Sequence, residues 1–419
     1  MNRVLIVAIY LLLCTSLYAQ YSKIYTTQIQ TLRIDNEDGL PKFPIIQLNS
    51  TDRLFFSFDY LTHEYNRFTY KIEHCTYDWE TTAELFESEY LVSASNEEVI
   101  EDYQESFNTT LQYTHYQFQI PNRDTKLLLS GNYRLSIYIE NEEGEPNKVV
   151  ETYFYVLDPK VNIQSKVSGN TDIDWNVSHQ QMDLEVSTKG LQIRDVNEDI
   201  KVYVLQNNRW DTAVKLPQPT MTTSDKIIWE HCKNLIFDAG NEYRKFEMLS
   251  THYPGLRVDK IRWFSPYYHV ALYTDTPRKN YLYDEEQNGI SVIRSENDNN
   301  SAIEAEYVYI HYLLAADYLP NHTVYVDGNW NREGFTPKYE MKYNFETGIY
   351  EASILQKMGY YNYQYLAVDN SHPTQGKTGP FEGNFFQTEN EYTILVYYSK
   401  RGERYDQLVG FLNFSYQPK

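Results

Sequence analysis

Side chains along this chain alternate in character with a period of two, and no segment of 15 or more residues carries a sustained helical stripe. That rhythm restricts the chain to sheets. Runs such as Phe68, Tyr70, Ile72 and Tyr153, Tyr155, Leu157 place aromatic and aliphatic groups on every second position, and Gly, Asn and Asp punctuate the intervals. Strands are predicted in a first block at Gln28–Ile34, Leu54–Tyr60, Phe68–His74, Gln112–Ile120, Tyr133–Ile139 and Val149–Leu157. The last two form a hairpin across Glu142-Glu143-Gly144-Glu145, and Tyr133 sits where a tyrosine ties the corner of an immunoglobulin-like sandwich.

The expected architecture is all-β: tandem immunoglobulin-like or early-set β-sandwich modules in an extended series. The expected division is a signal peptide over 1–19, an N-terminal sandwich over 20–158 and a middle β domain over 159–293. A linker at 294–304, built around the apolar-free SENDNNS, then leads to a C-terminal early-set-like sandwich over 305–419. Strands in the later blocks are predicted at Met182–Ser187, Ile200–Leu205, Tyr243–Leu249, Tyr307–Leu314, Ile349–Leu355, Tyr361–Ala367, Glu391–Tyr398 and Leu408–Tyr416, among others.

The N-terminus suggests export. Met1-Asn2-Arg3 is followed by ten apolar residues, Val4–Leu13, and by Ser16-Leu17-Tyr18-Ala19 as a processing site before Gln20. A run of that length falls short of the roughly 20 residues a spanning helix needs. Cys14 follows Leu13, which is not the small residue that lipoprotein processing requires, so cleavage without lipidation is expected.

Charge excludes one class of partner. The chain carries 37 basic and 58 acidic side chains, a net charge of −21, or −22 once Arg3 leaves with the signal. Such a field repels phosphate backbones and anionic lipid, so no nucleic acid and no direct membrane insertion are expected.

Tyrosine is the compositional outlier, at 41 of 419 residues. Its ring buries a large area while its hydroxyl needs a polar partner, so strand faces in a core should absorb most of these residues and contact surfaces a minority. Cys75 and Cys232 fall in different predicted modules and are expected to be buried free thiols.

No motif for chemistry is present. His63-Glu64 lacks the second histidine of H-E-x-x-H, and there is no G-x-S-x-G elbow, P-loop, C-x-x-C or dinucleotide fingerprint. His74, Cys75 and Asp78, or His231 and Cys232, are metal-capable types at spacings that fit no known site. The chain is therefore read as no enzyme, with no catalytic residue, metal or cofactor.

Two resemblances supply functional expectations. VYVDGNW at Val324–Trp330, with Gly348-Ile349-Tyr350 and Gly359-Tyr360-Tyr361, resembles the glycogen-binding type of carbohydrate module, with Trp330 and Asn331 at its Phe and Asn places; its stacking Trp position, however, holds Glu333. A sugar-binding face depends on flat rings, so this departure counts against glycan binding, and a carbohydrate-binding module of the cell envelope stands as the alternative reading.

The broader resemblance is carried by KIEHCTYDW (Lys71–Trp79), SGNYRLSIYIENEEGEPN (Ser130–Asn147), VYVLQNNRWD (Val202–Asp211) and NEYRKFEML (Asn241–Leu249). It continues through VYVDGNW, MGYYNYQYL (Met358–Leu366), EGNF (Glu382–Phe385) and ENEYTILVYYSKRGERYDQLVG (Glu389–Gly410). From about Ile24 to Phe414 the chain resembles the plug protein family of the type IX secretion system of Bacteroidota.

The resemblance implies a periplasmic protein, peripheral to the outer membrane, that closes the periplasmic opening of a giant outer-membrane barrel translocon when no cargo is in transit. Trp330, Tyr360, Tyr361 and Tyr363, and the loop His372–Phe386, are the candidate partner contacts. Asp211-Thr212-Ala213 fits the D-[S/T]-aliphatic sequon for O-glycosylation in exported proteins of this group, which makes Thr212 a candidate acceptor.

Overall fold

The computed structural model describes residues 20–93, 97–141, 144–296 and 300–418. The predicted signal peptide, two residues of the 142–145 turn and three of the 294–304 linker lie outside the described residues. What is described is β throughout, with helices of a single turn such as Glu87–Tyr90 and Gly379–Glu382.

The N-terminal sandwich follows the alternation closely. One sheet orders Lys23–Ile24, Pro146–Leu157, Gly131–Glu140, Phe68–Cys75 and Glu98–Val99, with Ile45–Gln47 joining Pro146–Leu157 in parallel. The facing sheet orders Ile29–Asp35, Leu54–Tyr60, Thr114–Ile120 and Asp102–Glu105. The expected hairpin forms, with Tyr133 opposite Phe154 and Ile137 opposite Val150. Every second residue of its first strand, Tyr133, Leu135 and Ile137, is fully buried against Phe56, Phe58 and Phe154. Tyr133 ties the corner as expected, donating its hydroxyl to the Leu129 carbonyl at 2.8 Å. Gly131 has φ +141°, and a Cβ there would lie 2.6 Å from the His74 ring, so the turn into this strand requires glycine.

The remainder is interleaved. The second sandwich sets Asn162–Ser168, His179–Ser187, Lys226–Trp229 and Met221–Thr222 against a sheet of Val214–Lys215, Ile200–Gln206, Glu391–Tyr398 and Gln407–Ser415. Its core joins Met182, Leu184 and Trp229 to Val202, Ile394 and Val409. The third unit is a ten-stranded sheet. Its main path runs Arg244–Met248, Gly359–Asp369, His322–Asp327, Glu340–Asn344, Ile349–Lys357, Tyr307–Ala315, Tyr267–Leu272 and Val258–Phe264. Phe246, Val270, Tyr312 and Val326 from distant parts of that path share one core, so the sheet curls over itself.

Two expectations need correction. Both later units draw strands from either side of the 294–304 boundary, because Ile200–Gln206 and Val214–Lys215 alone leave the facing sheet half-covered until Glu391–Tyr398 completes it. The expected extended series is replaced by packing, since Phe43, Trp79, Tyr153 and Tyr155 of the first sandwich share a buried cluster with Tyr203, Leu395, Tyr397 and Leu408 of the second. Large apolar area left bare at either boundary favours closure: burial contributes about 25 cal/mol per Å².

Candidate contact surface and the buried joints behind it

The tyrosines go mainly inward. Eleven of them, Tyr133, Tyr307 and Tyr363 among them, are less than 2% exposed. The hydroxyls of Tyr113, Tyr307 and Tyr397 pin joints between units, and those of Tyr133, Tyr363 and Tyr365 find partners within their own, which is what a buried phenol demands.

The first joint fastens the N-terminal sandwich to the ten-stranded unit. Lys357, on Ile349–Lys357, inserts a fully buried ammonium that donates to Asp59 at 2.6 Å and to the Ala302 carbonyl at 2.5 Å. The Asp59 carboxylate also accepts from the Tyr307 hydroxyl at 2.5 Å and from His115 Nδ1 at 2.7 Å. The Tyr113 ring lies 4.1 Å from the ammonium, adding a cation–π contact. Burial alone would push the Asp59 carboxyl up, but Lys357 and His115 outweigh it and hold the pKa below the ordinary value. The short helix Ser301–Glu304, within the expected linker, is therefore clamped: Ile303 accepts from the Phe107 N–H at 2.9 Å, and Ala305 from the Tyr113 hydroxyl at 3.0 Å.

The second joint is aromatic and holds the first sandwich on the second. Trp79 packs edge-on against Tyr153, Tyr155 and Trp210, with centroids 4.9, 5.2 and 6.2 Å away, and adopts φ 71°, which a non-glycine residue keeps only where its surroundings impose it. Tyr397 donates to the Asn132 side-chain oxygen at 2.8 Å across the same boundary.

Within the ten-stranded unit, a charge cluster fixes the loops. Arg244 bridges Asp275 and Glu382, Arg278 reaches Glu382 at 2.8 Å, and Arg257 reaches Asp275 at 2.6 Å. Tyr363 and Tyr365 each donate to Asp275 at 2.8 Å. Burial alone would raise the Glu382 pKa, but the two guanidiniums lower it overall.

The predicted contact residues fall on this interior. Tyr361 is 4% exposed and donates to the Lys357 carbonyl at 2.6 Å, and Tyr363 is fully buried, so neither is available at a surface. Trp330 is half-buried, its ring edge-on to Tyr339 and Tyr361 and its indole N–H donating to the Asn362 carbonyl at 2.7 Å. Tyr360 is half-buried, accepting from the Asn362 amide at 3.0 Å. The physical reason is that Gly359–Asp369 is a central strand, flanked by Arg244–Met248, Ser291–Ile293 and His322–Asp327, and its uninterrupted aromatic run is the mark of burial on both faces. In the loop His372–Phe386, Phe381 and Glu382 are buried, while His372 to Gln375 stay exposed. Glu333, at the stacking position of the carbohydrate-module pattern, accepts from Lys338 at 3.2 Å and from the Tyr339 hydroxyl at 3.1 Å.

Thr212 is half-buried, its hydroxyl donating to the Arg209 carbonyl at 3.5 Å. Its neighbour Asp211 is structural, paired with Arg209 at 2.6 Å and accepting the Gly376 N–H at 2.9 Å. Among the described residues no group of three or more His, Cys, Asp or Glu side chains is placed to hold a metal ion. His74 pairs instead with Thr82 and the Ser130 carbonyl, and His231 with Asp172. Cys75 and Cys232 are both buried and free, as expected.

Large apolar groups do reach the surface, in places the sequence reading did not single out. Trp263 and Phe264 are 46% and 55% exposed at the tip of the hairpin formed by Val258–Phe264 and Tyr267–Leu272. The available signal was WFSPYY, six residues in which only a Ser-Pro turn interrupts the rings.

The family described as type 9 secretion system plug protein, 1st domain, matches residues 29–158, the N-terminal sandwich. The chain belongs to the type IX secretion plug family. A crystal structure of a hypothetical protein from Parabacteroides merdae is similar at 40% identity and a TM-score of 0.90, over 95% of this chain and 100% of that one. The likeness therefore extends across all three units, beyond the first-domain match. No curated protein matches the chain. Among the described residues no helix is long and apolar enough to cross a membrane.

Proposed function

We propose that this plug-family chain resides in the periplasm, docks on the periplasmic opening of the type IX outer-membrane barrel translocon, and seals it while no cargo is in transit. Family membership carries the reading. The architecture supports it, because a stopper has to keep its shape against a wide lumen, and here three β units are fastened by a buried ion pair, an aromatic joint and the insertion of the third unit between two stretches of the second. No chemistry is assigned to the chain in this role: it acts by occupying space, without a catalytic residue, metal or cofactor. The net charge of −21 disfavours docking on anionic lipid, so attachment to the outer membrane goes through the barrel.

The test is permeability. A strain lacking the chain is expected to become sensitive to large antibiotics that the outer membrane excludes, and to lose that sensitivity when the barrel is deleted too. Unchanged permeability, or a leak that persists without the barrel, would refute the seal; a carbohydrate-binding role gives no leak.

Thr212 remains a proposed O-glycosylation site, and its half-buried hydroxyl implies attachment before the Arg209–Asp211 turn closes. Intact mass of protein from its native periplasm decides it: a glycan-sized increment absent in Thr212→Ala supports the site, and the bare mass rejects it.

A further inference from the structure

The ten-stranded sheet ends in an open edge. Val258–Phe264 pairs on one side with Tyr267–Leu272; on the other, Arg244–Met248 approaches its start, where the Glu247 N–H donates to the Leu256 carbonyl at 3.1 Å, and past Val258 no described strand pairs with it. Such an edge offers a row of unpaired backbone N–H and C=O groups to any extended segment that arrives. Its side chains sort by register. Lys260, Arg262 and Phe264 lie opposite Ala271, His269 and Tyr267 on one face, and Ile261 and Trp263 lie opposite Val270 and Tyr268 on the other. The first face continues inward as rings, Tyr267 against Tyr309 at 5.0 Å and His269 parallel to Tyr309 at 5.3 Å. On the second face Trp263 packs on Tyr268 at 4.7 Å.

Charge narrows what fits. In a molecule of net −21, the hairpin from Arg257 to Tyr273 carries Arg257, committed to Asp275, and two exposed cations, Lys260 and Arg262, against one anion, Asp259, which Lys260 reaches at 3.1 Å. A second copy is a poor occupant, because antiparallel pairing centred on Ile261 sets Lys260 opposite the copy's Arg262, and like charges across a ladder repel. Cations on an edge also serve to keep copies apart, but that device does not place an exposed Trp and Phe beside them.

We propose that the edge Val258–Phe264 is a docking site for an extended, acidic segment of a partner protein, added as an antiparallel strand. Its acidic side chains lie beside Lys260 and Arg262, and its alternate apolar side chains lie beside Ile261 and Trp263. Backbone bonds supply affinity and the two cations supply selectivity. The assignment stands apart from the plug reading, since it concerns the chemistry of the segment and not the identity of its owner.

The test uses the full mature chain and a capped nine-residue peptide alternating Glu and Val, with a Lys/Val peptide as control. The expected result is slowed hydrogen exchange of backbone amides within residues 258–264 only, and binding of the acidic peptide about tenfold or more tighter than the basic one. The double variant Lys260→Glu, Arg262→Glu, both exposed and outside every joint described above, is expected to reverse that preference. Several results would overturn the proposal: no protection at millimolar peptide, equal binding of both peptides, protection elsewhere, or peptide displaced by an oligosaccharide. Self-association of the free chain that protects the same amides would assign the edge to a second copy and would overturn it equally.

Discussion

A lysine with a side chain 1% exposed is tolerable only because every hydrogen it bears has somewhere to go, and Lys357 spends its ammonium on Asp59, Ala302 and the Tyr113 ring. Lys357→Met would strand a buried carboxylate, so it is expected to destabilise the chain by about 3–5 kcal/mol in chemical denaturation. Adding Asp59→Asn removes the stranded charge and is expected to recover most of that loss; a double variant no better than the single one contradicts the joint. Glu286 behaves differently. Its Oε2 is buried without a partner among the described residues, and burial, reinforced by Glu242, pushes its pKa up to about 8. A carboxyl raised in the folded state contributes stability that is complete below about pH 4.5 and is lost as pH rises through about 8. Glu286→Gln is therefore expected to flatten the fall in denaturation midpoint over that range and to exceed the wild type at its upper end, whereas parallel curves would refute the assignment.

At the scale of elements, alternation located strands well and said little about which strands pair. Leu54–Tyr60 and Glu391–Tyr398 lie where the period-two pattern places them. Asn162–Ser168 and Glu340–Asn344 escaped because their sequences, NIQSKVS and EMKYN, expose much of both faces and offer little apolar signal. Gly359–Asp369 was legible as a strand, yet its tyrosines read equally as surface or core, since a ring suits both and only the flanking strands decide. The cysteines were legible because their modules differ. Cys75 ends Phe68–Cys75 inside the aromatic joint, where burial pushes its thiol up to about 12, and Cys232 lies in the core of the second sandwich. Neither is expected to react with maleimide in the native chain, and both are expected to react after denaturation without reductant. Fast native labelling, or a mass showing them oxidised, would contradict that placement.

Across the whole molecule, the chain leaves the second sandwich near Asp238, builds the ten-stranded unit, and returns at Glu391. No local pattern discloses a return of that kind, because a strand's rhythm specifies its face and not its partner. The consequence is mechanical. The third unit is inserted between two stretches of the second, and the first is clamped to both, so the three form one body, with Ser301–Glu304 held against the first sandwich. That rigidity is what the proposed sealing role asks of the chain, and the conductance of the translocon barrel reconstituted in a planar bilayer tests the proposal most directly. Purified mature chain added to the periplasmic side is expected to close the open-barrel conductance, and the joint-breaking Lys357→Met variant to close it less completely. A barrel whose conductance is unchanged by saturating wild-type chain would contradict the account.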